Sequence, residues 1–233
     1  FRRSLDTWGE DGEWGYTQVS RPGTSLVLRL DFGQDHDQQA AKLRLGTTLQ
    51  RLEYRNHMVE GDHFNLAWAR LDLDMDTGEV LIEEIQNDWL RSAQNYLTNG
   101  HDSGQGSSWY RQARRGALKN DLRFIQYQAE VLAPLEKVWA EAMLCATLEF
   151  IRDSLGMHSV YMHTVECGPR IKDIQWSGPP KSLYSDLPRR FCFEKTDEVP
   201  SFLSRSWGQM AHLKQENGGK RFARPLYFWK LAL

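Results

Sequence analysis

Alternation of apolar and polar side chains predicts several β-strands in this chain. A hairpin is predicted where residues 64–75 alternate, Asp76-Thr77-Gly78 supplies a turn, and residues 79–85 return as the second strand. In residues 25–32, Leu26, Leu28 and Leu30 share one side of a strand. The predicted strands are 25–32, 64–75, 79–85, 159–164 and 225–233.

Helical periodicity accounts for most of the remaining apolar positions. The predicted helices are 38–45, one that Asn87 or Asp88 caps and that runs towards Leu97, 108–129, 134–155 and 201–206. Residues 167–188 contain several Gly-Pro and Leu-Pro steps and are expected to be irregular. Because strands precede and follow the helices, we predict an α+β fold: one domain over residues 1–233, with a mixed or antiparallel sheet and a central group of helices.

Composition narrows the class of protein. The chain has 233 residues, of which 40% are hydrophobic and 26% charged, as expected for a globular domain with one core. No apolar stretch reaches the roughly 20 residues of a membrane helix, so we expect no membrane partner. Three widely spaced cysteines favour a reducing compartment, the cytoplasm. Composition leaves the oligomeric state open.

Charge is unevenly distributed along the chain, although the net charge is only −2. Residues 1–100 carry 10 Lys and Arg against 17 Asp and Glu, whereas residues 201–233 carry 6 against 1. A polar, flexible loop is expected at 100–108, followed by arginines that share a helix face. We expect contacts with a nucleic-acid backbone from Arg111, Arg114, Arg115, Lys220, Arg221 and Arg224. The alternative is a basic surface that only contacts solvent.

The second hairpin strand ends in an unusual cluster of polar residues, Glu83-Glu84-Ile85-Gln86-Asn87-Asp88-Trp89. Strand parity places Glu84 and Gln86 on one face, and Asp88 follows directly after the strand. A carboxylate beside an amide can orient water or stabilise developing positive charge. The alternative is a structural corner, in which Asp88 caps a helix and Glu84 forms an internal ion pair. The choice among Glu83, Glu84 and Asp88 as the catalytic acid stays open.

The same segment resembles the Glu-Glu-Ile-Gln-Ser-Asp-Trp motif of a domain found in phage and mobile-element proteins, often within very large polyproteins. The resemblance covers about Gln50 to Thr164. It further includes Tyr54, Arg55, His57, Asn65, Leu66, Ala67, Arg70, Trp139 and Thr164. Asn87 stands where the family usually has Ser, Trp68 where it has His, and His163 where it has Trp or Thr. These departures imply a changed pocket and a changed substrate.

The resemblance implies a protein of phage–host conflict that acts on nucleic acid. The expected activity is that of a DNA glycosylase, which cleaves the N-glycosidic bond of a modified base in phage DNA without cofactor or metal. Such enzymes flip the base out of the helix into a pocket. The expected catalytic residues are Glu84, Asp88, Gln86, His57 and His163. Substrate binding is expected from Tyr54, Arg55, Asn65, Trp68, Arg70 and Trp89.

Two alternatives stay open at this point. One is an ADP-ribosyltransferase that uses NAD, because Glu84-Ile85-Gln86 resembles the acidic motif of those enzymes in reversed order. The other is a non-catalytic module that binds nucleic acid or associates with virions. That module would depend on the basic C-terminal segment and would tolerate the loss of Glu84.

Overall fold

The computed structural model describes residues 1–9, 18–45, 49, 52, 63–99, 122–172, 174, 180–206 and 225–233. The strands in these ranges are β1 (Arg2–Trp8), β2 (Ser25–Asp31), β3 (Asn65–Asp74), β4 (Glu79–Gln86), β5 (Ser159–His163), β6 (Glu194–Thr196) and β7 (Phe228–Ala232). The α-helices are α1 (Gln34–Lys42), α2 (Asp88–Asn99), α3 (Leu122–Tyr127), α4 (Ala133–Glu136), α5 (Trp139–Glu149), α6 (Cys167–Lys172) and α7 (Leu187–Arg190). Wider π-helical turns occupy Gln128–Leu132, Phe150–Ser154 and Ser182–Asp186, and residues 201–206 are also helical.

The strands form one sheet in the order β1-β2-β3-β4-β5-β7-β6. Strands β4 and β5 are parallel, with Val80 opposite Val160. Strand β7 runs antiparallel to both β5 and β6. The sheet is therefore mixed, and the predicted α+β fold class is confirmed.

The predicted hairpin is present as β3 and β4, joined by the turn at 75–78. Gly78 closes the turn with a φ of +68°, a conformation that side chains with a Cβ rarely adopt. Its N–H donates to the carbonyl of Asp74 at 2.9 Å. The turn fixes the start of β4 and thereby the position of the polar cluster at its other end.

Several helix predictions need correction. The helix predicted at 38–45 begins earlier, at Gln34, and the one predicted at 134–155 is divided into α4, α5 and a π-helical turn. The prediction of an irregular segment at 167–188 is wrong for its described ends, which form α6, the π-helical turn Ser182–Asp186 and the start of α7. Thr164 Oγ1 accepts the Cys167 N–H at 3.2 Å at the start of α6, and Pro169 lies in the first turn, where a missing N–H breaks no helical hydrogen bond.

Asn87 caps α2, the helix that begins at the polar cluster. Its Oδ1 accepts the Leu90 N–H at 2.8 Å, which satisfies one of the otherwise unpaired N–H groups of the first turn. Of the two predicted caps, Asn87 and Asp88, the structure therefore identifies Asn87.

Replacing Asn87 by Ala is expected to lower the free energy of unfolding by about 1 kcal/mol, because the cap is lost. Asn87→Ser is the matched control. Serine is an equally good cap, and it removes the buried Asn87 Nδ2, which has no partner among the described residues. Urea denaturation of the three proteins measures the effect. Equal loss in both variants would contradict the capping role.

The chain divides into two compact units. The first unit consists of Phe1–Ser4, Arg29–Trp68 and Gln86–Met143, and the second of Leu5–Leu28, Ala69–Ile85 and Leu144–Leu233. The core of the second unit includes Leu81, Tyr161, Cys167, Ile171, Phe202 and Phe228. The domain limits 1–233 stay a prediction. None of the helices in the described ranges has both the length and the apolar character that crossing a bilayer requires.

Candidate functional site

The polar cluster spans the end of β4 and the first turn of α2. Val80, Leu81 and Ile82 are fully buried and hold β4 in the sheet. Glu83 is also buried, whereas Glu84 and Gln86 are half-buried, as the alternation of a strand predicts. The division between the two units falls between Ile85 and Gln86, so the acids of the cluster are described unit by unit.

In the first unit, Asp88 is the centre of a hydrogen-bond network. Trp68 Nε1 donates to its Oδ2 at 3.1 Å, and Gln86 Nε2 donates to its Oδ1 at 2.5 Å. Arg91, one turn further along α2, forms an ion pair with the same Oδ1. The Asp88 side chain is 11% exposed. The result is an oriented carboxylate at a helix N-terminus, where the backbone dipoles favour negative charge.

Trp68 and Trp89, both expected to stack on a base, are almost completely buried. Trp89 packs against Phe32 and Phe64, with ring centroids 5.3 and 4.9 Å away, and its Nε1 donates to the Tyr127 hydroxyl at 3.1 Å. Stacking on a flipped base would therefore require their neighbours to move. What the structure shows for Trp68 is a hydrogen bond that orients Asp88.

A buried histidine completes the aromatic core around Trp89. The Tyr127 hydroxyl lies 2.8 Å from His36 Nε2, and the Phe32 ring stacks on His36 at 3.8 Å. Burial lowers the pKa of His36. Since the imidazole is then neutral at pH 7, Tyr127 can donate to His36 while it accepts from Trp89. This chain of donors fixes Trp89, the first residue after Asp88.

Asn65, expected to read a base, is engaged elsewhere in the first unit. Its Nδ2 donates to Asp31 Oδ1 at 3.1 Å and to the carbonyl of Ala67 at 3.0 Å. The buried Asp31 also accepts from Ser4 Oγ at 2.5 Å and from Arg29 Nε at 3.2 Å. Because both N–H groups of the Asn65 amide point at these oxygens, reading a base would require it to exchange partners.

In the second unit, Glu84 forms an ion pair with Arg70. Arg70 Nη2 donates to Glu84 Oε2 at 3.0 Å and to the carbonyl of Gln18 at 2.6 Å. The Arg70 side chain is 0% exposed, whereas that of Glu84 is 22% exposed. The Trp8 ring covers the guanidinium at 4.7 Å. The internal ion pair considered for Glu84 is therefore present, and Arg70 presents no surface to a phosphate in this structure.

Glu83 is the buried acid whose partners sequence reasoning missed. The Ser20 N–H donates to Oε1 at 2.9 Å, and Lys172 Nζ lies 3.0 Å from Oε2. Burial alone would raise the pKa of Glu83, but the Lys172 ammonium and the hydrogen bond from His163 outweigh burial and hold the pKa well below its ordinary value. Glu83 is therefore an ionised core residue. Glu83 lies on the same strand face as the apolar Leu81, and this position could have indicated a buried acid. Its partners could not be predicted, because they are distant in sequence.

His163, expected to assist catalysis, belongs to the same buried group. Its Nε2 lies 3.3 Å from Glu83 Oε2 and 3.0 Å from Ser20 Oγ, and burial lowers its pKa. A serine–histidine–acid relay needs the serine and the acid on opposite ring nitrogens. Here both contact Nε2, while Nδ1 has no partner among the described residues. The group therefore lacks the geometry of a nucleophilic relay.

Asp72, at the far end of β3, carries a perturbed carboxyl group. Its Oδ1 accepts hydrogen bonds from Arg21 Nε at 3.0 Å and from Arg21 Nη2 at 2.7 Å. Burial raises the pKa of Asp72 to about 6, and the Arg21 guanidinium opposes this shift only in part. Because the folded state holds this proton more tightly than the unfolded chain, Asp72 contributes stability below pH 4 that is lost as the pH rises through 6.

We expect the difference between the unfolding free energies of wild type and Asp72→Asn to change between pH 4 and pH 7. Wild type should lose up to about 3 kcal/mol relative to the variant, since one pKa unit corresponds to about 1.4 kcal/mol. Urea denaturation across this pH range measures the difference, and all other titrating groups are common to both proteins. Parallel pH profiles would contradict the assignment.

Many predicted site residues lie outside the described residues. These are His57, Tyr54, Arg55, Arg111, Arg114, Arg115, Lys220, Arg221 and Arg224, together with the loop 100–108. Among the described residues, no group of three or more His, Cys, Asp or Glu side chains is arranged to hold a metal ion. No family model, curated protein or solved structure matches the chain.

Proposed function

We propose that the protein hydrolyses an N-glycosidic bond in nucleic acid, with Asp88 as the catalytic carboxylate. The proposal takes its substrate class from the resemblance of Glu83–Trp89 to the phage-associated motif, and it places the protein in phage–host conflict. The observation that carries it is the orientation of the Asp88 carboxylate by Trp68, Gln86 and Arg91.

The chemistry of this reaction suits one fixed carboxylate. Cleavage of the bond from the sugar to the base builds positive charge on the sugar, and a nearby anion lowers the barrier most when it needs no reorganisation. Trp68 donates to Asp88 Oδ2, and Gln86 and Arg91 donate to Oδ1, which prevents rotation of the carboxylate. Displacement of Arg91 by the substrate would bring a sugar or a water molecule against Asp88 Oδ1.

Asp88 is a better candidate for the catalytic carboxylate than Glu83 or Glu84, because its ion-pair partner is more exposed to solvent. Arg91, its ion-pair partner, is 55% exposed, so a substrate can reach and displace it. The partner of Glu84 is the fully buried Arg70. Glu83 is itself buried against Lys172 and cannot contact a substrate without the core opening. We therefore assign Glu83 and Glu84 to the fold and Asp88 to catalysis.

In the proposed step, a water oxygen bonds to C1′ of the sugar as the bond between C1′ and the base nitrogen breaks. The electron pair of that bond goes to the base, which takes up a proton from solvent. The water loses a proton to the Asp88 carboxylate, which later releases it to solvent. No cofactor is needed for this balance, and Arg91 compensates the charge of Asp88 between turnovers.

The test is incubation of the protein with phage DNA that carries modified bases, with unmodified DNA and, separately, with NAD. Released base is quantified by mass spectrometry and abasic sites by alkaline cleavage. We expect base release from at least one modified DNA. Absence of release from every DNA would overturn the proposal, and release of nicotinamide from NAD instead would favour an ADP-ribosyltransferase.

A further inference from the structure

The second unit contains a cleft that none of the residues discussed for catalysis lines. Its volume is about 390 Å³, within the range of ligand pockets. The side chains that line it include Arg21, Thr24, Ser25, Asp72, Phe202 and Arg205. An ideal Cβ on Gly23, which also lines the cleft, would have no atom within 4 Å, so that wall is open.

Arg21 is held rigidly in this cleft. Asp72 and the carbonyl of Leu73 accept the hydrogens of its Nε and Nη2, and the Phe202 ring lies 4.5 Å from the guanidinium carbon. A guanidinium has five N–H groups. The two on Nη1 have no hydrogen-bond partner in the part of the chain that the structure describes. Arg21 therefore offers a donor pair whose orientation is already fixed.

Arg205 provides a second guanidinium in the same cleft. Its Nη2 pairs with Asp74, and its side chain is 58% exposed. Within the described ranges, Nε and Nη1 of Arg205 have no hydrogen-bond partner. The lining thus combines two guanidinium groups and the Thr24 hydroxyl with a single lining acid, Asp72, which Arg21 already neutralises.

We propose that this cleft binds a phosphate group carried by a nucleic-acid strand. Guanidinium groups match phosphate oxygens in geometry and charge, and a fixed guanidinium loses little entropy on binding. The phosphate chemistry follows from the two arginines alone, whereas the strand as its carrier rests on the proposed function. The cleft, which lies within the second unit, would contact the sugar–phosphate backbone. This contact would raise the affinity of the protein for nucleic acid independently of the base sequence.

Fluorescence anisotropy with labelled single-stranded DNA of about ten nucleotides tests the cleft. We expect Arg205→Gln to weaken binding about fivefold at about 50 mM salt. The slope of log affinity against log salt should also fall by about 0.7, the value for one lost phosphate contact on a single strand. Arg205 is preferred over Arg21 because its loss leaves the buried Asp72 paired.

Arg152→Gln is the matched control, since Arg152 lies in the same unit, is 55% exposed and also pairs with one aspartate, Asp153. It should bind DNA like wild type.

A second pair of variants changes Thr24, which lines the cleft, and leaves both arginines in place. Thr24→Glu should weaken binding by charge repulsion, and Thr24→Gln should not.

Equal binding of both DNA and inorganic phosphate by the Arg205→Gln and Arg152→Gln variants, or by the two Thr24 variants, would overturn the cleft as a phosphate site. Weaker binding of inorganic phosphate by Arg205→Gln, with unchanged DNA affinity, would overturn the nucleic-acid strand as the carrier. The assay involves no reaction, so its outcome is separate from that of base release. Failure of base release with a specific loss of DNA affinity in Arg205→Gln would overturn the proposed activity and retain the cleft.

Discussion

Asp88→Asn is expected to reduce the rate of base release about a thousandfold while the protein stays folded. Asparagine has the size of aspartate, and its Oδ1 can still accept one of the hydrogen bonds from Trp68 and Gln86. It carries no charge, so it neither stabilises a positive sugar nor takes a proton from water, and a loss of this size is typical of such groups. Single-turnover base release from modified DNA measures the effect.

Glu84→Gln is the matched control for this experiment. It makes the same carboxylate-to-amide change as Asp88→Asn, four positions earlier in the chain. If the assignment is right, its rate should stay within about tenfold of wild type, since Glu84 serves the ion pair with Arg70. The urea midpoints of both variants show whether each remains folded. Full activity in Asp88→Asn together with loss in Glu84→Gln would overturn Asp88 as the catalytic carboxylate.

Lys172→Met is expected to lower the free energy of unfolding by about 3–5 kcal/mol. The substitution keeps the length of the side chain but leaves the ionised Glu83 buried without its cation, and the Lys172 Nζ contact to the Glu83 carbonyl at 2.5 Å is lost as well. Replacing Glu83 by Gln in the same protein should recover part of the loss, because the uncompensated charge disappears. Urea denaturation of wild type and both variants measures these energies.

The pH dependence gives this prediction a second readout. In wild type the pKa of Glu83 lies well below its ordinary value, so its stabilisation is present at neutral pH and is lost only in acid. In Lys172→Met, burial without the ammonium raises this pKa, and the deficit in stability should shrink as the pH falls from 7 to 4. A deficit that stays constant with pH would contradict the role of charge.

Lys230→Met is the control for the loss of an ordinary ion pair. Lys230 lies 2.7 Å from Glu198, and both side chains are partly exposed. An exposed pair contributes at most about 1 kcal/mol, because water screens the charges. A similar cost for Lys172→Met and Lys230→Met would show that the Glu83 group does not stabilise the core.

The local sequence pattern predicted part of the candidate site. The alternation of residues 79–85 predicted β4, and the parity of that strand separated the buried Glu83 from the half-buried Glu84 and Gln86. The pattern also indicated that a helix follows at Asn87 or Asp88, and α2 begins there. It did not distinguish the cap, since Asn and Asp are equally good caps, and only the hydrogen bond from Leu90 identifies Asn87.

The sequence by itself determined the α+β class, the hairpin and the face on which each polar residue of β4 lies, because these depend on a period of two within one segment. The tertiary structure decided the partner of each acid. Glu83 meets Lys172 across 89 positions, Asp88 meets Trp68 across 20, and Asp72 meets Arg21 across 51. Such pairs leave no periodic trace in the chain, because they form only where packing brings distant segments within about 3 Å.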